Sequence, residues 1–168
     1  MVGMAIPTLR ELRSAVLASA EPEAAVAALR EAGYAGGDAV LAAFEQWLGE
    51  TGPEPVDRAD SRDLSMDEFA ERTGDFFRNA GWGEVKFSEE DAEGVAVVEI
   101  DNCWETRDEV SGPAGCQITT GMLAAFFGHV AGYPVAVLET HCGSADHSSC
   151  RFLLGNTEMM NYKWEEMR

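Results

Sequence analysis

Four residues near the C-terminus constrain this chain more than any other feature, because their side chains form a complete set of metal donors. They are Cys116, Glu139, Cys142 and Cys150, in the pattern C-x22-E-x2-C-x7-C. Three thiols and a carboxylate can fill the tetrahedral coordination of a zinc ion. If these residues bind one ion, the fold has to hold Cys116 against a C-terminal hairpin.

The spacing alone leaves alternatives open. His141 or His147 can replace Glu139 as the fourth donor, because imidazole is a commoner zinc ligand than carboxylate. Cysteines that bind nothing are also common in protein cores. Cys103 is left over from the zinc set, and we expect it to be a small packed residue.

Composition limits the classes of partner. The 168 residues are 46% hydrophobic and 25% charged, which is typical of a globular domain. Thirty acidic and twelve basic side chains give a formal net charge of -18, so the chain repels phosphate backbones and anionic membrane surfaces. No stretch is apolar enough to span a bilayer or to form a signal peptide. We therefore expect a cytoplasmic protein that binds neither nucleic acid nor membrane.

We expect a single α+β domain that covers residues 1–168. Its parts follow one another as N-terminal helices, a linker, a core that contains the possible zinc ligands, and a tail helix. The linker is rich in proline, glycine and charged residues. The four parts span residues 1–50, 51–64, 65–155 and 156–168, respectively.

The N-terminal part contains a group of glycines within a helix. Helical periodicity predicts helices over Thr8–Ala18 and Glu21–Leu48. Gly33, Gly36 and Gly37 lie in the middle of the second helix. They either bend this helix or let another backbone approach it closely, and the sequence does not separate the two options.

The core part combines two helices with several strands. A capping box, Ser65 to Glu68, starts a helix over Met66–Ala80, and a second helix is predicted over Gln117–Ala131. The segment Asp101–Glu109 can extend the sheet. Alternating apolar residues predict the strands Val85–Phe87, Val95–Ile100, Val135–Thr140 and Arg151–Leu154.

Two charge effects are expected around the donor set. Cys116 precedes the second core helix, so the positive end of the helix dipole should lower its thiol pKa. Zinc with three thiolates and a carboxylate carries a net charge of about -2, and Arg151, next to Cys150, is the expected source of compensating charge.

Three motifs around the donor set resemble the 4-vinyl reductase domain family of small-molecule-binding modules. They are CQITTGMLAAFFG from Cys116, VAVLETHC from Val135 and CRF from Cys150. Similar domains are the sensor modules of phenol- and xylene-responsive transcriptional activators, which bind zinc through three cysteines and one glutamate. The resemblance places this ligand set on Cys116, Glu139, Cys142 and Cys150. Four protein ligands leave no open position, so the zinc is expected to be structural.

The resemblance also implies a fold and a ligand class. The implied fold has N-terminal helices, a small antiparallel sheet with a long helix packed on it and a zinc-braced C-terminal hairpin, as in nitric oxide sensors and Golgi transport subunits. The implied protein is a homodimer that binds an apolar or aromatic small molecule. Phenol specificity is not implied, because the sensors hold the hydroxyl with a histidine and a tryptophan, and no histidine precedes His129.

The side chains expected to contact this ligand are aromatic or flexible residues, although their helical spacing is also typical of core packing. We expect a stand-alone small-molecule-binding or sensing protein. The alternatives are a scaffold or assembly subunit, and an accessory to a tetrapyrrole vinyl reductase. We lean against an enzyme, since the sequence has no dinucleotide-binding fingerprint. The expected ligand contacts are Phe69, Phe76, Trp104, Met122 and Phe126.

Overall fold

The computed structural model describes residues 5–19, 21–53, 56–57, 59–89, 94–106, 115–143 and 149–166. These residues form helices on both faces of one antiparallel sheet. In chain order the elements are α1 (Ile6–Ser19), α2 (Pro22–Thr51), α3 (Met66–Asn79), β1 (Glu84–Glu89), β2 (Ala96–Asp101), α4 (Gln117–Ala131), β3 (Ala136–His141), β4 (Ser149–Gly155) and α5 (Thr157–Glu166). The predicted α+β class is confirmed.

Helix α3 begins at the predicted capping box. The Ser65 hydroxyl accepts a hydrogen bond from the Glu68 backbone N–H, and the Glu68 carboxylate accepts one from the Ser65 backbone N–H. The helix ends at Asn79, and Gly81 and Gly83 then take positive φ angles of 78° and 133°. Because glycine adopts such angles without steric cost, the chain turns at once from α3 into β1.

The sheet has the strand order β1-β2-β4-β3, so β2 and β4 are central. Val98 lies opposite Phe152, and both pack in the main core against the helices. Side chains alternate between faces along a strand, so Val97 and Leu153 lie on the other face, where they pack with Met160 of α5. We call these the inner and outer faces of the sheet.

The expected extension of the sheet over Asp101–Glu109 is wrong for the residues described. Strand β2 ends at Asp101, and Asn102 follows with a φ angle of 53°. The Thr106 backbone N–H then bonds the Cys103 carbonyl, which closes a turn. Residues 107–109 lie outside the described residues. We call Cys103–Thr106 the 103–106 turn.

The glycines of α2 serve close packing. Helix α2 is continuous from Pro22 to Thr51, so they do not split it. A Cβ at Gly33 would overlap the backbone carbonyl of Ile118, and a Cβ at Gly121 of α4 would overlap that of Arg30. The two helix backbones therefore cross in direct contact, which places the start of α4 beside α2.

The residues described between α2 and α3 pack back along α2. The Ala59 backbone N–H donates to the Glu45 carbonyl at 3.1 Å, and the Ser61 hydroxyl bonds the Glu45 carboxylate at 3.2 Å. Ser61 is buried in this contact. Among the helices that the structure describes, none has the length and apolar character needed to cross a bilayer.

Candidate metal centre

The four donors of the sequence pattern converge on the inner face of the sheet, where α4 begins. The Sγ atoms of Cys116, Cys142 and Cys150 and a carboxylate oxygen of Glu139 all lie within 4.8 Å of one another. The Cys116 and Cys150 sulfurs are 3.3 Å apart. Zinc–sulfur bonds of about 2.3 Å place two sulfurs of a tetrahedral site roughly 3.8 Å apart. The cluster therefore has the dimensions of a single four-coordinate site.

Secondary structure positions each donor. Cys116 is the residue that precedes α4, and Cys142 directly follows β3. Cys150 lies on β4 opposite Ile100, and Glu139 lies on β3 opposite Phe152. Because residues paired across antiparallel strands share a face, Glu139 and Cys150 both point to the inner face.

The Glu139 carboxylate is arranged as a metal ligand would be. One oxygen, Oε2, accepts a hydrogen bond of 2.7 Å from the Cys116 backbone N–H. The other, Oε1, is buried and has no hydrogen-bond partner among the described residues. Burial is the main reason why the pKa of Glu139 is raised to about 7. A cation bound at Oε1 removes both penalties, so this residue fits a metal site.

The Cys116 thiol also requires a positive charge. The pKa of Cys116 is raised, first by its contact with Cys103 and then by those with Cys142 and Cys150 and by burial. The expectation that the helix dipole lowers this pKa is therefore wrong without a metal, because crowding of thiols outweighs the dipole. Zinc binds cysteine as thiolate and supplies the missing charge. Three thiols and one carboxylate thus fit zinc.

Backbone groups and a hydroxyl surround the donors. The Gly143 backbone N–H lies 3.4 Å from Sγ of Cys150, and the Thr106 hydroxyl lies 3.6 Å from the same atom. Strand alternation places Arg151 on the outer face, where its Nε is 3.7 Å from the Glu99 carboxylate. The expectation that Arg151 compensates the charge of the site is therefore wrong.

A buried ion pair fixes the residues around Cys116. The Glu105 carboxylate accepts hydrogen bonds from the Ile118 and Thr119 backbone N–H groups at 3.0 and 2.9 Å. Arg13 of α1 bonds Glu105 through Nε and the Gly115 carbonyl through Nη2, both at 3.1 Å. Both side chains are buried. Sequence analysis missed this pair, because no local pattern marks partners so far apart in the chain.

Cys103 is buried, as expected, but it is also next to the donors. Its sulfur lies 3.7 Å from Sγ of Cys116 and 3.8 Å from the Thr119 hydroxyl. The turn that follows β2 creates this proximity, and no local sequence pattern indicates where that turn leads.

The histidines take other positions. His141 is exposed, its Nδ1 is 3.1 Å from the Thr140 hydroxyl, and it is not among the clustered donors. His147, the other alternative ligand, lies outside the described residues. His129 of α4 pairs with Asp38 of α2 at 2.6 Å and so links two helices.

The five expected ligand contacts all belong to the core on the inner face. Phe76 is half-buried there, and the remaining four are buried. Ring contacts connect α3 to α4, with centroids 6.4 Å apart for Phe69 and Phe126. The Trp104 ring packs on Trp82 at 5.7 Å. Its indole Nε1 is buried without a hydrogen-bond partner in the described part of the chain.

Comparison with known proteins identifies the fold. No protein-family model matches the sequence, and no curated protein matches it. A solved structure that matches is the phenol-responsive sensory domain of the transcription activator PoxR with phenol, at 17% identity. The match covers 94% of this chain and 77% of that chain, with a TM-score of 0.67. This chain has the fold of that sensory domain.

A second protein has a similar fold. It is a trafficking protein particle complex subunit 3 from Naegleria fowleri, covalently bound to palmitic acid. The identity is 14%, the match covers 89% of this chain and 91% of that chain, and the TM-score is 0.61. A vinyl-4-reductase family protein from Methanocaldococcus jannaschii also matches, at 14% identity over 92% of this chain and 96% of that chain. Its TM-score of 0.42 is too low to support a conclusion about the fold. The first two matches confirm the expected α+β fold of helices packed on a small antiparallel sheet.

Proposed function

We propose that this chain is a small-molecule-binding module with a structural zinc ion, and that its ligand is apolar or aromatic. The observation that carries the ligand proposal is the buried Trp104 indole N–H, which has no acceptor among the described residues. An unpaired buried donor costs about 1–3 kcal/mol, and an oxygen atom of a ligand would remove that cost. The similar fold of a domain crystallised with phenol supports the same function.

Zinc in this proposal is held by Cys116, Glu139, Cys142 and Cys150. Bound there, the ion neutralises thiolates and connects the hairpin of β3 and β4 to the start of α4. Four protein donors leave no open position for a reacting water molecule, which supports a structural role over a catalytic one. The hydrogen bond from the Cys116 backbone N–H to the Glu139 carboxylate already holds two of the four donors next to each other.

The ligand in this proposal binds among Phe69, Phe76, Trp104, Met122 and Phe126. Aromatic faces supply apolar contact area, and the Trp104 N–H supplies one directional hydrogen bond. Rings of α3 and α4 already contact each other, for example Phe69 and Phe127 at 6.2 Å. Ligand entry therefore requires some of these rings to change rotamer.

Anisole and toluene test the ligand site, because they have similar shapes and only anisole offers an oxygen acceptor. We expect anisole to bind about fivefold to tenfold tighter in calorimetric titrations, as one net hydrogen bond provides. In Trp104→Phe this preference should disappear. Trp164→Phe is the matched control, since Trp164 is 50% exposed on α5, and it should keep the preference. Equal affinities in the unmodified protein, or no binding of either compound, would refute the ligand site.

Native mass spectrometry tests the rest of the proposal in one measurement. We propose a homodimer, as the sequence resemblance implies, with one zinc ion in each chain. The expected species is a dimer that carries two zinc ions and loses them in the Cys142→Ser variant. A monomer would refute the dimer alone, whereas a metal-free protein purified without chelators and with zinc supplied would refute the zinc site.

A further inference from the structure

A fifth potential donor, the sulfur of a cysteine, lies beside the four proposed ligands of the metal centre. Cys103 is outside the group of donors that lie within 4.8 Å of one another, yet its sulfur is only 3.7 Å from that of Cys116. The distance matches the edge of about 3.8 Å expected between two sulfurs on one zinc ion. Cys103 is therefore placed beside the site on the side of Cys116.

Cys103 lies between the donor set and the first turn of α4. Its sulfur is 3.8 Å from the Thr119 hydroxyl. Its neighbours in the 103–106 turn already contact the site, since the Thr106 hydroxyl lies 3.6 Å from Sγ of Cys150. The turn therefore borders the donor set at both of its ends.

The weakest of the four proposed ligands is Glu139. Structural zinc sites most often use cysteine and histidine, and thiolate is the softer donor. Glu139 lies on β3, which is an edge strand of the described sheet. The pairing of β3 with β4 changes register next to Glu139. It is therefore the ligand whose position the fold holds least firmly.

We propose that Cys103 is a reserve ligand, which takes the fourth position on the metal when Glu139 leaves it. The inference rests on the proposed zinc site. In the exchange, the bond from zinc to the Glu139 oxygen breaks and a bond to the Cys103 sulfur forms. The thiol proton passes to the freed carboxylate, so the total charge of the centre does not change. The centre then has four sulfur ligands in place of three.

Metal-binding measurements on Glu139 and Cys103 variants test the exchange. We expect X-ray absorption of the zinc-loaded protein to count three sulfur neighbours, and the absorption of the cobalt(II) form to show the corresponding charge-transfer intensity. In Glu139→Gln, where the thiol proton has to leave to solvent, the count should rise to four, with metal affinity within about tenfold of the unmodified protein. Glu139→Asp, which retains the charge but is shorter, should give the same count and guards against misfolding of the first variant.

The second half of the test removes the reserve ligand. Cys103→Ser alone should retain three sulfurs and unchanged affinity, whereas Cys103→Ser combined with Glu139→Gln should lose about 100-fold in affinity. Three sulfurs in both Glu139 variants, or a double variant that binds like Glu139→Gln, would overturn the exchange and leave the zinc site standing. An unmodified protein that binds no metal would overturn both proposals.

Discussion

Arg13 and Glu105 show what single residues contribute to the metal centre. Burying two charges costs several kcal/mol for each ion, and their attraction offsets this only with good geometry and further hydrogen bonds. Glu105 has those bonds from the first turn of α4, and Arg13 has one to Gly115. Burial still raises the pKa of Glu105. The pair is therefore better explained as positioning Cys116 than as adding net stability.

Replacing Arg13 with methionine should destabilise the fold by about 3–5 kcal/mol, because Glu105 is left buried without its counter-charge. Guanidinium unfolding measures this change. Arg78→Met is the matched control: Arg78 pairs with Asp75 on the surface, and its loss should cost less than about 1 kcal/mol. Equal effects of the two substitutions would contradict the role assigned to the buried pair.

The same variant has a defined pH dependence. The folded pKa of Glu105 is raised above its unfolded value, and loss of Arg13 should raise it further. Such a group contributes stability below its unfolded pKa and loses that contribution as the pH rises through the folded pKa. The deficit of Arg13→Met should therefore be smaller near about pH 4 than near about pH 8. Unfolding curves at both values decide this, and a larger deficit at the lower pH would contradict it.

Single residues of the candidate site were predictable from the sequence where chemistry and spacing were enough. The pattern of three thiols and one carboxylate identified the donors that the fold brings together. The predicted role of Arg151 in compensating the charge of the site was wrong, although strand alternation alone separates this residue from the face of Cys150. The pairing of Arg13 with Glu105, which are 92 residues apart in the chain, was not predicted at all. Such contacts depend on tertiary structure and have no local signature.

At the scale of elements, the crossing of α2 and α4 is the contact that depends most on particular residues. Gly33 and Gly121 each face a backbone carbonyl of the other helix, with no room for a Cβ. Gly36 belongs to the same helix as Gly33, but no atom of the described residues lies within 4 Å of a Cβ built on it. Glycines three residues apart thus differ: a side chain at Gly33 would collide with α4, whereas one at Gly36 has space.

This difference gives a matched pair of substitutions. Gly36→Ala should stabilise the protein by about 0.5–1 kcal/mol, because alanine is the better helix former. Gly33→Ala should destabilise it by about 1–3 kcal/mol or more, since α4 has to move away. Urea unfolding of both variants measures the two signs. Stabilisation by Gly33→Ala would show that the helices can separate without loss.

The elements themselves were largely predictable from sequence. The capping box at Ser65 and the periodicity of the following residues set α3 to within one residue at its end. The role of the α2 glycines could not be predicted, because it depends on which backbone lies against them. The turn after β2 could not be predicted for a similar reason: Asn102 takes a positive φ, and its contacts with the rest of the fold are not visible in the local sequence.

At the scale of the whole molecule, the proposed zinc ion connects the start of α4 to the paired strands β3 and β4. Its donors come from the residue before α4, from β3 and β4, and from the residue after β3. The 103–106 turn contacts this centre through Cys103 and Thr106 and also carries Trp104. Ligand binding at Trp104 and the coordination of the metal are therefore expected to influence each other through this turn.

Removal of the metal should accordingly loosen one part of the molecule and leave another intact. A ligand present at about 1,000 times its dissociation constant stabilises the folded state by roughly 4 kcal/mol. For a chain of this size, removal of the zinc ion by a strong chelator should lower the melting temperature by about 8–16 °C.

Backbone amides of β3 and β4 should then exchange faster with solvent deuterium. Those in the α2 and α4 crossing should change little, because direct backbone contact holds that crossing without zinc. Cys142→Ser should show the faster exchange before any chelator is added and no further change after it. Uniform loss of protection across α2, α4 and the hairpin would mean that the ion supports the whole fold, and no change anywhere would mean that the hairpin is held by its strand pairing alone.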